Sequence, residues 1–272
     1  MVGRARRIFG QRRVGHAGTL DPDATGVLVL GLGRATRLLK YLTGLSKSYV
    51  GEVVLGVETS TLDAAGEVVA VHDMAGVTLA EVRAASTRFL GPIEQIPPMV
   101  SAVKIGGRRL HELARAGVEV DRPARAVTVT RFDVAESDEA GVFAVEVDCS
   151  SGTYIRTLAA DLGTSLGGGA HLRRLRRTAV GSFTVDEAVT LDDLGRAHVL
   201  APAAALRGYP QATVDPTLAG QVAHGAVLDR STLVGGAEGE GPWAVVDGDG
   251  RLLAVYELRL DGRVKPSVVM AG

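Results

Sequence analysis

The irregular order of strand-like and helix-like segments is the feature that most constrains the fold of this chain. Strand patterns at 27–32 and 47–57 precede a helix that opens with the capping-box spacing Thr78-Leu-Ala-Glu81 and runs through Leu90. Pro97-Pro98 blocks any helical continuation. Strands and helices without a regular β-α-β alternation favour an α+β fold over a doubly wound one. The other predicted elements of this part are helices at 2–9, 35–42, 107–116 and 153–166 and strands at 126–134, 142–149 and 172–183.

The last quarter of the chain has a different pattern. A short helix at 216–223 is followed by strand patterns at 243–246 and 252–258 around an Asp-Gly-Asp-Gly turn, and then by a final Val-Val. Short strands joined by glycine turns are typical of a small β-barrel. We therefore predict two domains, one over 1–207 and one over 208–272.

The composition argues against a membrane protein but does not indicate a binding partner. The 30 basic and 31 acidic residues give a net charge of −1, which argues neither for nor against a nucleic-acid partner. Apolar stretches such as 26–33 and 198–206 fall short of the roughly 18 residues that a membrane span requires. The single Cys149 has no partner within the chain, which favours a reducing compartment. We predict a cytoplasmic protein without a membrane segment, and we expect a monomer.

Basic residues are concentrated in two segments. Residues 1–48 contain nine Arg and Lys against only Asp21 and Asp23, and a second cluster lies at His171-Leu-Arg-Arg-Leu-Arg-Arg177. Arginine is well suited to binding phosphates because its guanidinium presents a planar fork of donors. Ordinary solvated faces would give the same pattern, so the clusters alone leave both interpretations open.

The segment 15–26, Gly-His-Ala-Gly-Thr-Leu-Asp-Pro-Asp-Ala-Thr-Gly, predicts a tightly held loop that leads into a strand. Pro22 disfavours helical geometry at Asp21 and has no amide proton, so the Asp21 carboxylate is carried on a restrained backbone. This suits a fixed nucleophile. An Asp-Pro pair in a glycine-rich loop is also common as a plain turn, and the local residues do not decide between the two.

The same segment closely resembles the signature Gly-His-x-Gly-x-Leu-Asp-Pro-x-Ala-x-Gly of the bacterial tRNA uridine-55 pseudouridine synthases, the TruB family. Four further matches occur in family order, and the resemblance spans most of 1–195. They are Lys47-Ser-Tyr49, Thr59-Ser-Thr-Leu-Asp63 with Gly66, Gln95-Ile-Pro-Pro-Met-Val-Ser-Ala-Val-Lys104, and the paired motifs Cys149-Ser-Ser-Gly-Thr-Tyr-Ile-Arg156 and Gly169-Ala-His-Leu-Arg-Arg-Leu-Arg-Arg177.

The resemblance implies a pseudouridine synthase catalytic domain whose central sheet is mixed, mainly antiparallel and flanked by helices. It also implies that 208–272 is a small β-barrel-like RNA-binding domain of the PUA type. Because the family has a further segment before the first helix, we expect the chain to be N-terminally truncated.

The family resemblance implies that Asp21 is the nucleophile. In that family an aspartate attacks the flipped uridine or its sugar, the C1′–N1 bond breaks, the base rotates and a C1′–C5 bond forms. A buried carboxylate needs a nearby cation to stay ionised, and a helix that starts at Thr153 would aim Arg156 at Asp21. The resemblance implies the same role for Arg156, whose alternative is a phosphate or surface arginine.

The remaining site residues are also predicted from the resemblance. Tyr49 is expected to stack on the extruded base and to transfer a proton, although a strand tyrosine is otherwise more often part of the core. His16 is expected to fill the place that the base vacates, or else to be a loop histidine bonded to backbone. Leu175 is expected to form a wall of the pocket, or else to pack in the core. Further substrate contacts are expected from Gly18, Asp63, Lys104 and Arg176.

The predicted partner is the T-arm stem-loop of tRNA, which is recognised mainly through its shape and backbone. We expect no cofactor, and no metal because the histidines lack ligand spacing. Two alternatives remain. One is an RNA-binding or RNA-folding protein without catalysis, and the other is a sugar hydrolase, which the absence of a clearly paired acid disfavours.

Overall fold

The computed structural model describes residues 1–101, 104–105, 108–109, 118, 120–233 and 239–270, with the backbone alone at 104–105 and 108–109. The chain divides into two compact units, each built from separate stretches of sequence. Unit 1 comprises Met1–Gly18, Leu28–Thr43 and Glu187–Gly272, and unit 2 comprises Thr19–Val27 and Gly44–Asp186. The domain division at 207 and 208 stays a prediction.

In the described part of the chain the α-helices are α1 (Val2–Phe9), α2 (Leu39–Thr43), α3 (Leu79–Ser86), α4 (Ile155–Ser165) and α5 (Pro216–Ala223). Short 3-10 helices lie at Gly33–Leu38, Thr87–Phe89, Val185–Glu187, Arg196–His198, Pro202–Leu206 and Arg230–Leu233. The strands are β1 (Val14–His16), β2 (Thr25–Gly26), β3 (Leu30–Leu32), β4 (Lys47–Leu55), β5 (Val57–Thr59), β6 (Val68–Val71), β7 (Gly91–Gln95), β8 (Lys104–Ile105), β9 (Arg108–Arg109), β10 (Arg125–Glu136), β11 (Val142–Cys149), β12 (Ala170–Val180), β13 (Phe183–Thr184), β14 (Gln211–Thr213), β15 (Trp243–Val246), β16 (Leu252–Leu258) and β17 (Val264–Val269).

Unit 2 is organised around a seven-stranded sheet in the order β13-β12-β4-β11-β10-β7, with β2 added beside β12. The β2–β12 pair is parallel and the other pairs are antiparallel. Apolar residues of the central strands pack with those of α3 and α4 to form the core. The predicted α+β class, with a mixed and mainly antiparallel sheet, is therefore confirmed.

The capping box at α3 forms as predicted. The Thr78 amide donates to Glu81 Oε2 at 2.8 Å, and the Glu81 amide donates to Thr78 Oγ1 at 3.4 Å. The extension of this helix through Leu90 is wrong, because the α-helix ends at Ser86 and is followed by one 3-10 turn. Gly91, at a φ of +88°, then starts strand β7, which the sequence did not predict.

Two further predictions need correction. The strand predicted at 27–32 is shorter in the structure: only Leu30–Leu32 (β3) is a strand, because the chain pairs with β12 up to Gly26 at the end of β2 and pairs with β1 only from Leu30 onward. The helix predicted at 107–116 lies outside the described residues except at β9, where the backbone is extended and pairs with β8.

Unit 1 contains a four-stranded sheet in the order β14-β15-β16-β17. The β14–β15 pair is parallel and the other two are antiparallel. Its core surrounds the fully buried Trp243 and Tyr256, and α5 packs against it. A C-terminal β domain is therefore confirmed, while its PUA-type identity stays a prediction. Among the described residues, no helix combines the length and apolar character needed to cross a membrane.

Candidate active site

A tight turn carries Asp21. The amide of Ala24 donates to the carbonyl of Asp21 at 3.0 Å, which closes a four-residue turn with Pro22 in its second position. Proline is favoured there because its ring already fixes the required φ. The turn leads directly into β2, so the backbone on the C-terminal side of Asp21 is held by the main sheet of unit 2.

Gly26, which closes the motif, is required by both conformation and space. Its φ is +101°, a region that L side chains rarely adopt. A Cβ at this position would lie 2.1 Å from the carbonyl oxygen of Arg177. The neighbouring Val27 amide donates to that same oxygen at 2.9 Å. The loop can therefore approach β12 this closely only with glycine at position 26.

Arg156 lies in the first turn of α4 and is 3% exposed. Its Nε is 2.9 Å from Asp21 Oδ2, and its Nη2 donates to Asp21 Oδ1 at 3.0 Å. Two parallel charge-assisted bonds fix the carboxylate in orientation as well as position. Arg156 is buried in an ion pair and is not a surface arginine.

The other donors of Arg156 are also engaged. Nη1 donates to the Thr61 carbonyl at 3.0 Å and is 3.3 Å from Asp63 Oδ2. Nη2 also donates to the Val100 carbonyl at 2.9 Å. A guanidinium has five N–H donors. Arg156 thus joins Asp21 to two further segments of unit 2 and is itself held rigidly.

The electrostatics of Asp21 are a balance of opposing effects. Burial raises the pKa of Asp21 above its ordinary value, Arg156 opposes that increase, and the neighbouring Asp63 carboxylate adds to it. The net direction is upward, although the side chain is still 39% exposed. Arg156 therefore limits the effect of burial without reversing it.

A cleft of about 290 Å³ opens over this pair. This is near the lower end of ordinary small-molecule sites. The cleft is therefore of a size for one small group, and Leu175 supplies part of its apolar surface while also packing against the core. Its lining residues are Asp21, Asp23, Ala24, Asp63, Ala64, Ala65, Arg156, Leu172, Arg173, Arg174 and Leu175.

Tyr49 lies on β4, directly opposite Arg177 of β12, and is 9% exposed. Its ring belongs to the hydrophobic core of unit 2. Burial raises the pKa of Tyr49, and a hydrogen bond from Arg177 opposes the increase. The residue is thus a core side chain that also makes a polar contact with Arg177, and its stacking and proton-transfer roles stay predictions.

The other predicted substrate contacts have different environments. His16 is exposed on β1 of unit 1, and Gly18 follows it at a φ of +98°. Arg176 is exposed on β12 of unit 2, and Asp63 contacts Arg156 as described. The side chain of Lys104 lies outside the described residues.

The arginines of 173–177 form one basic cluster in the sequence, and the structure separates them by burial and by ion-pair partner. Arg173 pairs with Glu52 and Glu139, and Arg174, which is largely exposed, also pairs with Glu52. Arg177 is 1% exposed and contacts Tyr49 and the Asp21 loop. A buried arginine in this cluster was missed, although strand alternation places neighbouring residues on opposite faces.

Within the described ranges, no group of three or more His, Cys, Asp or Glu residues is arranged to hold a metal ion. The cleft instead offers the Asp21 carboxylate fixed by one guanidinium, with the Asp23 and Asp63 carboxylates and an apolar wall also lining it. Such an arrangement provides a carboxylate held in a fixed orientation beside an open cleft.

Known proteins match this chain along most of its length. Residues 6–155 match the TruB family pseudouridylate synthase N-terminal domain, and 156–217 match the tRNA pseudouridylate synthase B C-terminal domain. A Symbiobacterium thermophilum protein named tRNA pseudouridine synthase B is 50% identical over 229 residues, covering 83% of this chain and 77% of the relative. A Rhodococcus jostii protein of the same name is 45% identical and covers 99% of this chain and 88% of the relative.

Solved structures agree in fold. A chain of a Cbf5-Nop10-Gar1 complex matches with a TM-score of 0.73 at 25% identity, covering all of this chain and 79% of the other. A chain of an H/ACA RNP bound to a substrate RNA matches with a TM-score of 0.74 at 23% identity, which shows the fold alone; the match covers all of this chain and 80% of the other. With matching family models over 6–217 and relatives at 45–50% identity, the chain belongs to the TruB family of pseudouridylate synthases.

Proposed function

We propose that this chain isomerises uridine-55 in the T-arm of tRNA to pseudouridine, with Asp21 as the nucleophile. The observation that carries the proposal is the bidentate Asp21–Arg156 pair in the cleft, at 2.9 and 3.0 Å. The relatives named tRNA pseudouridine synthase B support tRNA as the substrate. A monomer in the cytoplasm remains part of the proposal.

The reaction rearranges bonds within one nucleotide. Asp21 attacks the uracil ring or the sugar, the C1′–N1 bond breaks, and the base turns so that C5 faces C1′. The bond to Asp21 breaks as or after the C1′–C5 bond forms, which regenerates the carboxylate; the hydrogen on C5 leaves and N1 gains a proton, so the product is an isomer of the substrate. A covalent intermediate of this kind divides one difficult step into two easier ones.

Arg156 and Tyr49 have separate proposed roles. Arg156 opposes the effect of burial on the pKa of Asp21 and holds both carboxylate oxygens in place. Tyr49 is the proposed stacking surface and proton-transfer partner, with its hydroxyl hydrogen-bonded to Arg177. Neither role requires a cofactor.

The target uridine must leave the base stack before Asp21 can reach it. Extrusion costs a few kcal/mol, which contacts elsewhere have to offset. We assign His16, which is exposed on β1, to the vacated position and Leu175 to the wall beside the extruded base. Gly18, Asp63, Lys104 and Arg176 complete the proposed substrate contacts.

The test uses a T-arm stem-loop with tritium at C5 of its uridines, because loss of that hydrogen accompanies each turnover. We expect tritium release and a chemically mapped pseudouridine at position 55. The Asp21→Asn variant should bind the stem-loop and release none, and a stem-loop with cytidine at 55 should give no product at that position.

Two outcomes would contradict the proposal. Normal turnover by Asp21→Asn would remove Asp21 from the nucleophile role. Tight binding of the stem-loop by the unaltered chain, without tritium release, would favour the alternative of an RNA-binding protein without catalysis.

A further inference from the structure

Arg177 is a buried charge that the proposed chemistry does not use. It lies on β12 and is 1% exposed, whereas its neighbour Arg176 is exposed on the same strand. Burying a guanidinium is costly unless its donors find acceptors. The positions of those acceptors therefore indicate why a charge is present in the interior of unit 2.

Two of the acceptors are backbone carbonyl groups at the two ends of the loop that carries Asp21. Arg177 Nε donates to the Val27 carbonyl at 2.8 Å, and Nη1 donates to the Thr19 carbonyl at 3.3 Å. The Arg177 carbonyl also accepts the Val27 amide at 2.9 Å, and β2 pairs with β12 at Arg177 and Gly26. One residue thus fixes the start and the end of the loop over 19–27.

Another acceptor is the Tyr49 hydroxyl. Tyr49 and Arg177 are direct cross-strand partners on β4 and β12, and a hydrogen bond joins their side chains. The planar guanidinium has a fixed fork of donors, so its bonds to the loop and to Tyr49 share one rigid geometry. A shift of the loop would therefore also disturb the tyrosine.

We infer that Arg177 is a positioning residue that holds the Asp21 loop and the Tyr49 hydroxyl in one fixed arrangement without touching the RNA. The inference rests on the proposed function for its kinetic consequence. Its structural part, the anchoring of 19–27, is independent of that function. Arg177 acts through Asp21 and Tyr49, as a 1% exposed side chain must.

The kinetic test compares Arg177→Met with Val134→Ala, a core variant on β10 of the same sheet that leaves the hydrogen bonds of the loop intact. Misplacement of a reacting group by about 1 Å costs about 100-fold in rate, so Arg177→Met should lower kcat by about that factor with little change in KM. Arg177→Lys keeps the positive charge but lacks the planar guanidinium donors, and it should be more active than Arg177→Met. Val134→Ala should keep kcat per folded molecule.

Coupling to Tyr49 is measured with a double-variant cycle. If Arg177 and Tyr49 act as one unit, the combination of Tyr49→Phe with Arg177→Met should lower kcat by less than the product of the two single effects. An unchanged kcat with a raised KM in Arg177→Met would overturn the inference and make Arg177 an affinity residue. If Val134→Ala lowered kcat as much as Arg177→Met does, the inference would be overturned, because Arg177 would then contribute only to general stability.

A second readout does not depend on activity. Hydrogen exchange of the backbone amides within 19–27 should be faster in Arg177→Met than in the unaltered chain and unchanged in Val134→Ala. Equal exchange in both variants would overturn the anchoring role. If the unaltered chain releases no tritium, the proposed function fails, and the exchange result still decides the inference.

Discussion

Two regions of the molecule are rich in arginine and use it differently. One is the cleft region, which consists of the loop Thr19–Val27 and strand β12, and the other is the N-terminal basic segment, residues 1–13. In the cleft region Arg177 is buried, and Arg173 is paired with two glutamates. In the N-terminal basic segment every arginine is exposed, and within the described part of the chain only Arg4 has an ion-pair partner, Asp192. A count of basic residues therefore does not measure the charge available to a ligand.

The largest effect is expected from a variant that tests whether a buried arginine beside the cleft acts in catalysis. Arg156→Ala should lower kcat by about 10³-fold, since it removes the charge that orients and stabilises Asp21. It should also lower the free energy of unfolding by about 3 kcal/mol, because Asp21 and Asp63 lose their common cation. Tritium release and urea unfolding measure the two effects.

The control for that prediction is Arg131→Ala on β10. Arg131 is exposed and pairs with Asp133 and Glu146 at the surface, so its removal should leave turnover and unfolding unchanged. Equal effects of Arg131→Ala and Arg156→Ala would show that burial does not distinguish the two arginines.

A matched pair of glycine variants probes the same two regions through the backbone. Gly26→Ala should lower kcat by about 100-fold, because its Cβ would lie 2.1 Å from the Arg177 carbonyl and displace the loop. Gly3→Ala on α1 meets nothing within 4 Å and should stabilise the helix by about 0.5 kcal/mol. Kinetics and thermal unfolding of both variants provide the measurement, and a fully active Gly26→Ala would contradict the close approach.

A third prediction concerns the exposed arginines of the N-terminal basic segment. Replacing Arg6, Arg7, Arg12 and Arg13 by Gln should weaken stem-loop binding by about 10-fold or more and leave kcat unchanged at saturating RNA. The slope of log affinity against log salt should become shallower by about 0.7 to 0.9 for each phosphate that the variant no longer neutralises. An unchanged salt slope would show that these arginines form a solvated face only.

The smallest expected effect is a shift in pH dependence. As the proposed nucleophile, Asp21 would have to be ionised, and its pKa is raised, so activity should fall as the pH drops through that raised pKa. Asp63→Asn removes a negative charge that raises the Asp21 pKa, and the acid limb of kcat/KM should therefore move to lower pH. Asp23→Asn should move it the same way by less, because Asp23 contributes least to the raised pKa. A shift to higher pH in Asp63→Asn would contradict this electrostatic balance.

Local sequence specified much of the architecture. The Thr78–Glu81 capping box, strand β11 and helix α5 lie where the patterns predicted them. The turn at Asp21 follows from the proline after it, with its closing bond at 3.0 Å. Each of these features depends on residues a few positions apart, and so the sequence is sufficient to specify them. The family resemblance added the order of the motifs and the candidate site residues.

Tertiary packing, and not the local sequence, determined which of the arginines on β12 are buried. Arg176 and Arg177 are identical, adjacent residues in the sequence. Only the pairing of β12 with β4 and β2 buries the Arg177 side chain and leaves that of Arg176 exposed. Register shifts after Leu172 and after Arg177 interrupt simple alternation along β12, so the pattern of period two does not assign every face. The residues along the chain were enough to predict that a rigid loop carries Asp21 and that basic residues cluster. The identity of the arginine that fixes that loop emerged only from the folded structure, because burial and hydrogen-bond partners come from strands far apart in the chain.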